Sequence, residues 1–137
     1  MISQEYLPFF VYGTLRREQH NYNFYFESKT ESEYNAWIKG ILYNFGQLPA
    51  YKPEGDNWIK GDLIYVNEKL YDNILTDIDF LEGYEPYSEE TSLYIRRKRK
   101  ILREDRQWID AWIYIFNYPV SEKLLSEIPS GDWNKQE

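Results

Sequence analysis

The chain has no cysteine and only one histidine, His20, in 137 residues. The first absence excludes disulfides, a thiolate nucleophile and cysteine-ligated zinc. The second leaves His20 as the sole base for any Ser-His-Asp triad. It lies in a polar stretch without apolar periodicity, and no Ser sits in a G-x-S-x-G elbow. There is no P-loop, no G-x-G-x-x-G and no EF-hand loop. Without clustered His or Cys ligands no metal is expected, and any enzyme chemistry falls to carboxylates and backbone amides. No apolar run approaches the length of a membrane span, so no membrane partner is expected. The N-terminus lacks a basic region followed by an apolar stretch, and the expected location is cytoplasmic. The net charge of −7 argues against a nucleic-acid partner.

Aromatic side chains are abundant: 14 Tyr, 5 Trp and 7 Phe. Tyr and Trp join a large apolar face to a polar tip, so they serve pockets as readily as cores. The length suits one core, and no stretch resembles a linker, so residues 1–137 are expected to form a single domain. The sequence carries no signal for the number of subunits.

Leu7 to Tyr12 is an apolar run ended by Gly13 and reads as a buried strand. Arg16 to Glu33 reads as irregular or weakly helical. Ala36 to Phe45 and Trp58 to Val66 are strand candidates. Each carries Trp-Ile-Lys-Gly (Trp37 to Gly40, Trp58 to Gly61), as two strands of one sheet with similar neighbours would. A Gly inside each points to a bulge or a close backbone approach. Gly46 to Asn57, with Pro49, Pro53 and Gly55, reads as a surface loop. Ser92 to Leu102 and Gln107 to Phe116 read as long strands joined at Arg103 to Arg106, and Ser121 to Ile128 as a short helix. Strands before and after one main helix make an α+β domain with a mostly β core. The cations Arg96 to Lys100 alternate across a strand, so they read as solvated charges or a protected edge rather than one phosphate-binding patch.

The main helix runs from about Glu68 to Glu82, with Asn67 as its N-cap. With Leu70 at zero and about 100° per residue, Leu81, Ile74, Ile78, Tyr71 and Leu75 fall between about 20° and about 140°, one apolar stripe. Glu82 falls near about 120°, between Ile78 and Leu75, and Asp79 near about 180°, at the stripe's edge. Asp72, Thr76 and Lys69 lie on the wet face. Two readings stand. Either Glu82 points a carboxylate toward the core, where burial raises its pKa into the range useful for proton transfer, or it curls into water before Gly83 caps the helix.

Tyr12-Gly13-Thr14-Leu15-Arg16, directly after an apolar strand, resembles the opening of the γ-glutamylcyclotransferase-like superfamily, above all its small γ-glutamylamine cyclotransferase and AIG2-like branch. Gly40-Ile41-Leu42-Tyr43, Leu48-Pro49-Ala50 and Gly61-Asp62-Leu63-Ile64-Tyr65 follow the family's order, with Asp62 where Glu is frequent. Asp79-Phe80-Leu81-Glu82-Gly83-Tyr84 is similar to its Asp-x-x-Glu-Gly-Tyr signature. Tyr94-Ile95-Arg96, Ala111-Trp112-Ile113-Tyr114 and Ser130-Gly131-Asp132-Trp133 resemble its later strands and tail. The resemblance covers nearly the whole chain.

It implies a small mixed β-barrel with flanking helices and a pocket where the Tyr12–Leu15 loop meets a catalytic Glu82. The implied activity is a 5-oxoproline-forming lyase acting on an amide C–N bond: a γ-glutamyl group cyclises and releases an amine or amino acid, with no metal or cofactor. The substrate's own α-amine is the nucleophile, which agrees with the lack of cysteine. One carboxylate can serve as base and then acid. Gly13, Thr14 and Leu15 can turn backbone N–H groups toward a carboxylate or a developing oxyanion. Tyr12 and Tyr114 are expected to line the same pocket, and Trp133 to anchor or pack rather than touch the ligand. The alternative is a binding module for a small γ-glutamyl or carboxylate ligand without turnover; a third reading, stacking of nucleic acid on Trp108 and Trp112, is opposed by the net charge.

Overall fold

A computed structural model describes residues 6–119 and 124–136. In chain order these form β1 (Phe9–Val11), α1 (His20–Tyr25), β2 (Thr30–Phe45), β3 (Leu48–Val66), α2 (Tyr71–Leu81), β4 (Tyr94–Arg103), β5 (Trp108–Phe116) and β6 (Leu125–Glu127), with short 3-10 turns at Glu68–Leu70, Glu89–Thr91 and Trp133–Lys135. The strands are ordered β3-β1-β5-β4-β2, and β2 pairs back onto β3. The result is a closed five-stranded barrel, with β6 added beside the end of β2. It is mixed because β1 and β5 run parallel while the other pairs are antiparallel.

The strand period explains how two apolar layers form. Phe10 of β1 and Tyr12 just after it pack with Leu63, Ala111, Ile113 and Trp133, a group without a residue from either helix, inside the barrel. Phe9 and Val11, on the opposite face, pack with Ile64, Tyr114, Phe116 and the Tyr71, Ile74 and Ile78 side chains of α2. β1 is covered on both faces, and this is why it reads as an unbroken apolar run rather than an alternating one.

The two Trp-Ile-Lys-Gly segments lie side by side and antiparallel, Trp37 opposite Lys60 and Gly40 opposite Asn57. Both glycines mark close approaches. A Cβ on Gly61 would stand 2.5 Å from the Val11 carbonyl oxygen, and one on Gly40 would stand 2.4 Å from the Tyr51 ring, where the ladder shifts register.

Five expectations are corrected. Gly46 to Asn57 is not a loop. Gly46 and Gln47, both at positive φ, form a two-residue hairpin turn, and Leu48–Lys52 pair with Ile41–Phe45. Only Pro53 to Asp56 lack ladder partners, so the Pro and Gly signals report a bulge. Leu125–Glu127 form a strand against Tyr43–Phe45 rather than a helix; the start of that predicted helix, residues 121–123, lies outside the described residues. Thr30 to Glu33 belong to β2, and Glu68–Leu70 is a 3-10 turn ahead of α2. Leu81, assigned to the buried stripe, is exposed, as is Leu70, because the barrel contacts only the centre of the helix. Asn67 does cap the first turn, accepting from the Lys69 N–H.

Gly61→Ala is expected to lose about 1–3 kcal/mol of stability, the usual scale for overpacking, because the opposing atom is backbone and cannot rotate away. Urea unfolding of both proteins measures the loss.

Candidate active site

Directly after β1 the chain turns sharply, with the Arg16 N–H bonded to the Gly13 carbonyl at 3.0 Å. Gly13 is required there, since a Cβ would stand 2.2 Å from Pro49 Cγ. The far side of the turn is tied down by charge. Arg16 is buried and bonds Asp132 at 2.7 Å through Nη1 and Asp62 at 3.4 Å through Nε. Asp62 also accepts from the Arg17 backbone N–H at 2.8 Å and from Arg17 Nη2 at 3.0 Å. Two carboxylates from β3 and the C-terminal segment thus hold the loop from behind. Among the described residues no turn, loop or side-chain acceptor takes the N–H of Gly13, Thr14 or Leu15. Thr14 Oγ1 accepts from Asn21 of α1 at 3.0 Å.

The opposite wall is the end of α2. Gly83, at φ 66°, lets the Tyr84 N–H reach the Asp79 carbonyl at 2.9 Å and its own N–H reach that of Phe80 at 3.1 Å. This left-handed cap stops the helix at Glu82 and sets the direction of its side chain. Glu82 and the loop residues Tyr12, Gly13, Thr14 and Leu15 line one partly open recess with Phe10, Val11, Pro49, Tyr94 and Tyr114. Glu82 is half-buried, and its carboxyl is open to the recess. Burial, then the neighbouring Asp79 carboxylate, push it up to about 8. Its carboxyl has no hydrogen-bond partner among the described residues.

Three tyrosines surround it. Tyr12 donates to the Tyr114 carbonyl at 2.5 Å, Tyr94 to the Pro49 carbonyl, and Tyr114 to Asp79 Oδ1. Burial first, with Glu82 or Asp79 adding to it, raises all three hydroxyls above their ordinary value, so they stay protonated. Arg96 Nε holds the same Asp79 oxygen at 2.9 Å, and its guanidinium lies 4.3 Å from the Trp112 ring centroid.

All six sequence-designated site residues (Tyr12, Gly13, Thr14, Leu15, Glu82 and Tyr114) therefore line one recess. Trp133 does not; it packs inside the barrel. Arg96 departs from the solvated reading of the basic run, because its strand position turns it onto Asp79 and Trp112. Asp79, at the stripe's edge on the wheel, is held by Tyr114 and Arg96 rather than by its own helix. Tyr94 and Pro49 went unassigned. Both stood within recognised motifs, but nothing local marks a strand Tyr as inward-facing at a site rather than in a core.

A family model described as "Gamma-glutamyl cyclotransferase, AIG2-like" matches residues 9–135. A Drosophila melanogaster protein named "Putative gamma-glutamylcyclotransferase" is 32% identical over 130 residues, covering 86% of this chain and 74% of that protein. A Methanocaldococcus jannaschii protein of the same description is 32% identical over 131 residues, covering 90% and 92%. Among solved structures, Escherichia coli YtfP aligns at 25% identity with a TM-score of 0.61 over 93% of this chain and 96% of that one. A mouse AIG2-like protein shares the fold at 19% identity, TM-score 0.65, over 90% and 86%. The barrel fold is shared with these solved structures. The chain belongs to the AIG2-like γ-glutamyl cyclotransferase family.

The Glu82 geometry has a consequence for stability. A carboxyl that titrates near 8 when folded and at an ordinary 4.5 otherwise holds its proton more tightly in the native state. Its contribution is full below the ordinary value and is lost as pH rises through the folded one. Glu82→Gln, which cannot ionise, should melt several degrees above the parent at about pH 9, with the difference closing by about pH 4. Melting curves across that range measure it.

Proposed function

We propose that the protein is a γ-glutamyl cyclotransferase that converts a γ-glutamyl amide into 5-oxoproline and a free amine, with Glu82 as the proton-transfer group. The observation that carries this reading is a carboxyl with a raised pKa and no protein partner, facing a turn whose N–H groups are untaken.

Glu82, once ionised, takes a proton from the substrate's α-ammonium. The freed amine attacks the γ-carbonyl carbon, and the new C–N bond closes a five-membered ring. Negative charge builds on the carbonyl oxygen, where backbone N–H groups of the Gly13–Leu15 turn stabilise it without reorganising. Glu82 returns the proton to the leaving nitrogen as the old C–N bond breaks. The nucleophile and electrophile belong to one molecule, so the main task is to hold the γ-glutamyl chain folded with its ends in contact. No step calls on a metal, a cofactor or a protein nucleophile. Without cysteine the chain has no disulfide to protect, and a cytoplasmic location is part of the reading.

Incubation with a panel of γ-glutamyl amides, read as 5-oxoproline formed, tests the proposal; binding without product on every member would leave a binding module. Glu82→Gln should lower kcat by about 100-fold or more, the scale of a lost general base. In the parent, kcat/KM should climb as pH is raised toward about 8. Asp79→Asn removes one cause of the raised pKa, so it should cost less activity and move that climb to lower pH. Dialysis against EDTA should leave the rate unchanged.

A further inference from the structure

Behind the Gly13–Leu15 turn, on the outer face of the barrel, lies an open cleft that shares no lining residue with the recess. Asn35 of β2 stands opposite Asp62 of β3, and Lys60 lies two residues before Asp62, so strand alternation turns all three to one face. Arg16 and Arg17 reach that face from the turn, and Asn134 and Lys135 reach it from the C-terminal segment. The cleft holds four cations against three carboxylates, Glu18, Asp62 and Asp132, on a chain of net charge −7.

Its acceptors are mostly taken and its donors are not. Asp62 accepts on both oxygens, from Arg16 Nε and the Arg17 N–H on one and from Arg17 Nη2 on the other. Asp132 Oδ1 accepts from Arg16 Nη1 and from the Asn134 N–H. Arg16 is buried, yet its Nη2 has no hydrogen-bond partner among the described residues. No enclosed side-chain nitrogen among those residues lacks a partner, so Nη2 opens onto the cleft that Arg16 lines. Asn35 accepts through Oδ1 from Arg17 Nη2, and Asn134 accepts through Oδ1 from Gln19 Nε2. Both amides thereby spend their acceptor and keep their Nδ2 hydrogens. Lys60 and Lys135 form no ion pair among the described residues. The carboxylate oxygens left to oppose an anion are Asp132 Oδ2 and those of Glu18, which is exposed; Glu33 and Glu104, near Arg17, do not line the cleft.

We propose that this cleft is a binding site for a phosphate group, free or carried as a monoester on a small molecule. Such a group bears close to two negative charges near neutral pH and several acceptor oxygens. It matches two unpaired ammonium groups, the open edge of a guanidinium and two carboxamide donors. A guanidinium already held by two carboxylates is fixed in place, so little side-chain freedom is lost when a further oxyanion meets it. A monocarboxylate carries half the charge and two oxygens, and satisfies fewer of these donors. The site stands apart from the recess and does not depend on the cyclotransferase reading.

NMR titration of the full chain tests it, with inorganic phosphate and glycerol phosphate as probes and with acetate and chloride at matched ionic strength as controls. The Asn35 and Asn134 side-chain amide signals and the Arg16 Nε signal should shift together and saturate, with a Kd of about 1 mM or tighter. Acetate should bind about 10-fold or more weakly than phosphate. Lys60 and Lys135 both reach solvent, so exchanging them leaves the core intact, and the same spectra report that the variant is folded. Lys60→Gln with Lys135→Gln should weaken phosphate binding about 10-fold or more, and each alone about 3-fold, the scale of charge-assisted hydrogen bonds. Tighter binding of glycerol phosphate assigns the site to an ester, and tighter binding of the inorganic ion assigns it to free phosphate; either supports the proposal. It is overturned by shifts that do not saturate, by equal affinity for acetate, by shifts confined to the Gly13–Leu15 amides, or by an affinity that the lysine substitutions leave unchanged.

Discussion

The buried guanidinium of Arg16 is the contact on which the recess depends. At 4% exposure it would be strongly destabilising alone, and it is tolerable only because Asp62 and Asp132 are brought against it. Those carboxylates come from the middle of β3 and from the C-terminal segment. Satisfying one charge therefore fixes three parts of the chain relative to one another. Asp132 also accepts from the Asn134 N–H, and the turn it caps carries Trp133 into the barrel. The loop beyond Gly13 is left with one position, its backbone pressed against Pro49 and its residues lining the recess.

A second ionic contact settles the other wall. α2 meets the barrel through Tyr71, Ile74 and Ile78, a short apolar contact that leaves Leu70 and Leu81 in solvent. Arg96 and Tyr114 reach from adjacent strands to the same oxygen of Asp79, one turn before Glu82. This pins the helix end against β4 and β5. Asp79 also places negative charge near Glu82 and, with burial, favours the protonated form. One residue thus orients the helix and tunes the carboxyl beside it.

The residues that carry the sequence resemblance divide accordingly. Gly13, Tyr12 and Glu82 face the recess, whereas Arg16, Asp62 and Asp132 never enter it and act by holding the loop. Buried ion pairs of this kind are weak evidence for net stability, since desolvation offsets much of the attraction. Their effect here is on placement, which a fold with a three-residue first strand cannot secure by ladder bonds alone.

Local rules carried much of this protein. Period and turn chemistry marked β1, the β4–β5 hairpin and α2, because apolar alternation and helical spacing are set by residues near in sequence. The wheel placed Glu82 among core positions for the same reason. Rules of that range could not decide the Gly46 to Asn57 segment, where Pro and Gly mark a turn and a bulge in a strand that exists only because β2 lies beside it. Nor could they separate Arg96 from the other cations of its run, since only the packing of α2 puts an acid opposite it. The sequence by itself determined which residues could do the chemistry: no thiol, one imidazole, and a carboxylate on the apolar face of a helix. Tertiary structure alone decided that three tyrosines, distant in sequence, surround that carboxylate with their protons turned away. Hydrogen-bond direction depends on which acceptors the closed barrel brings within reach, and no local pattern records it.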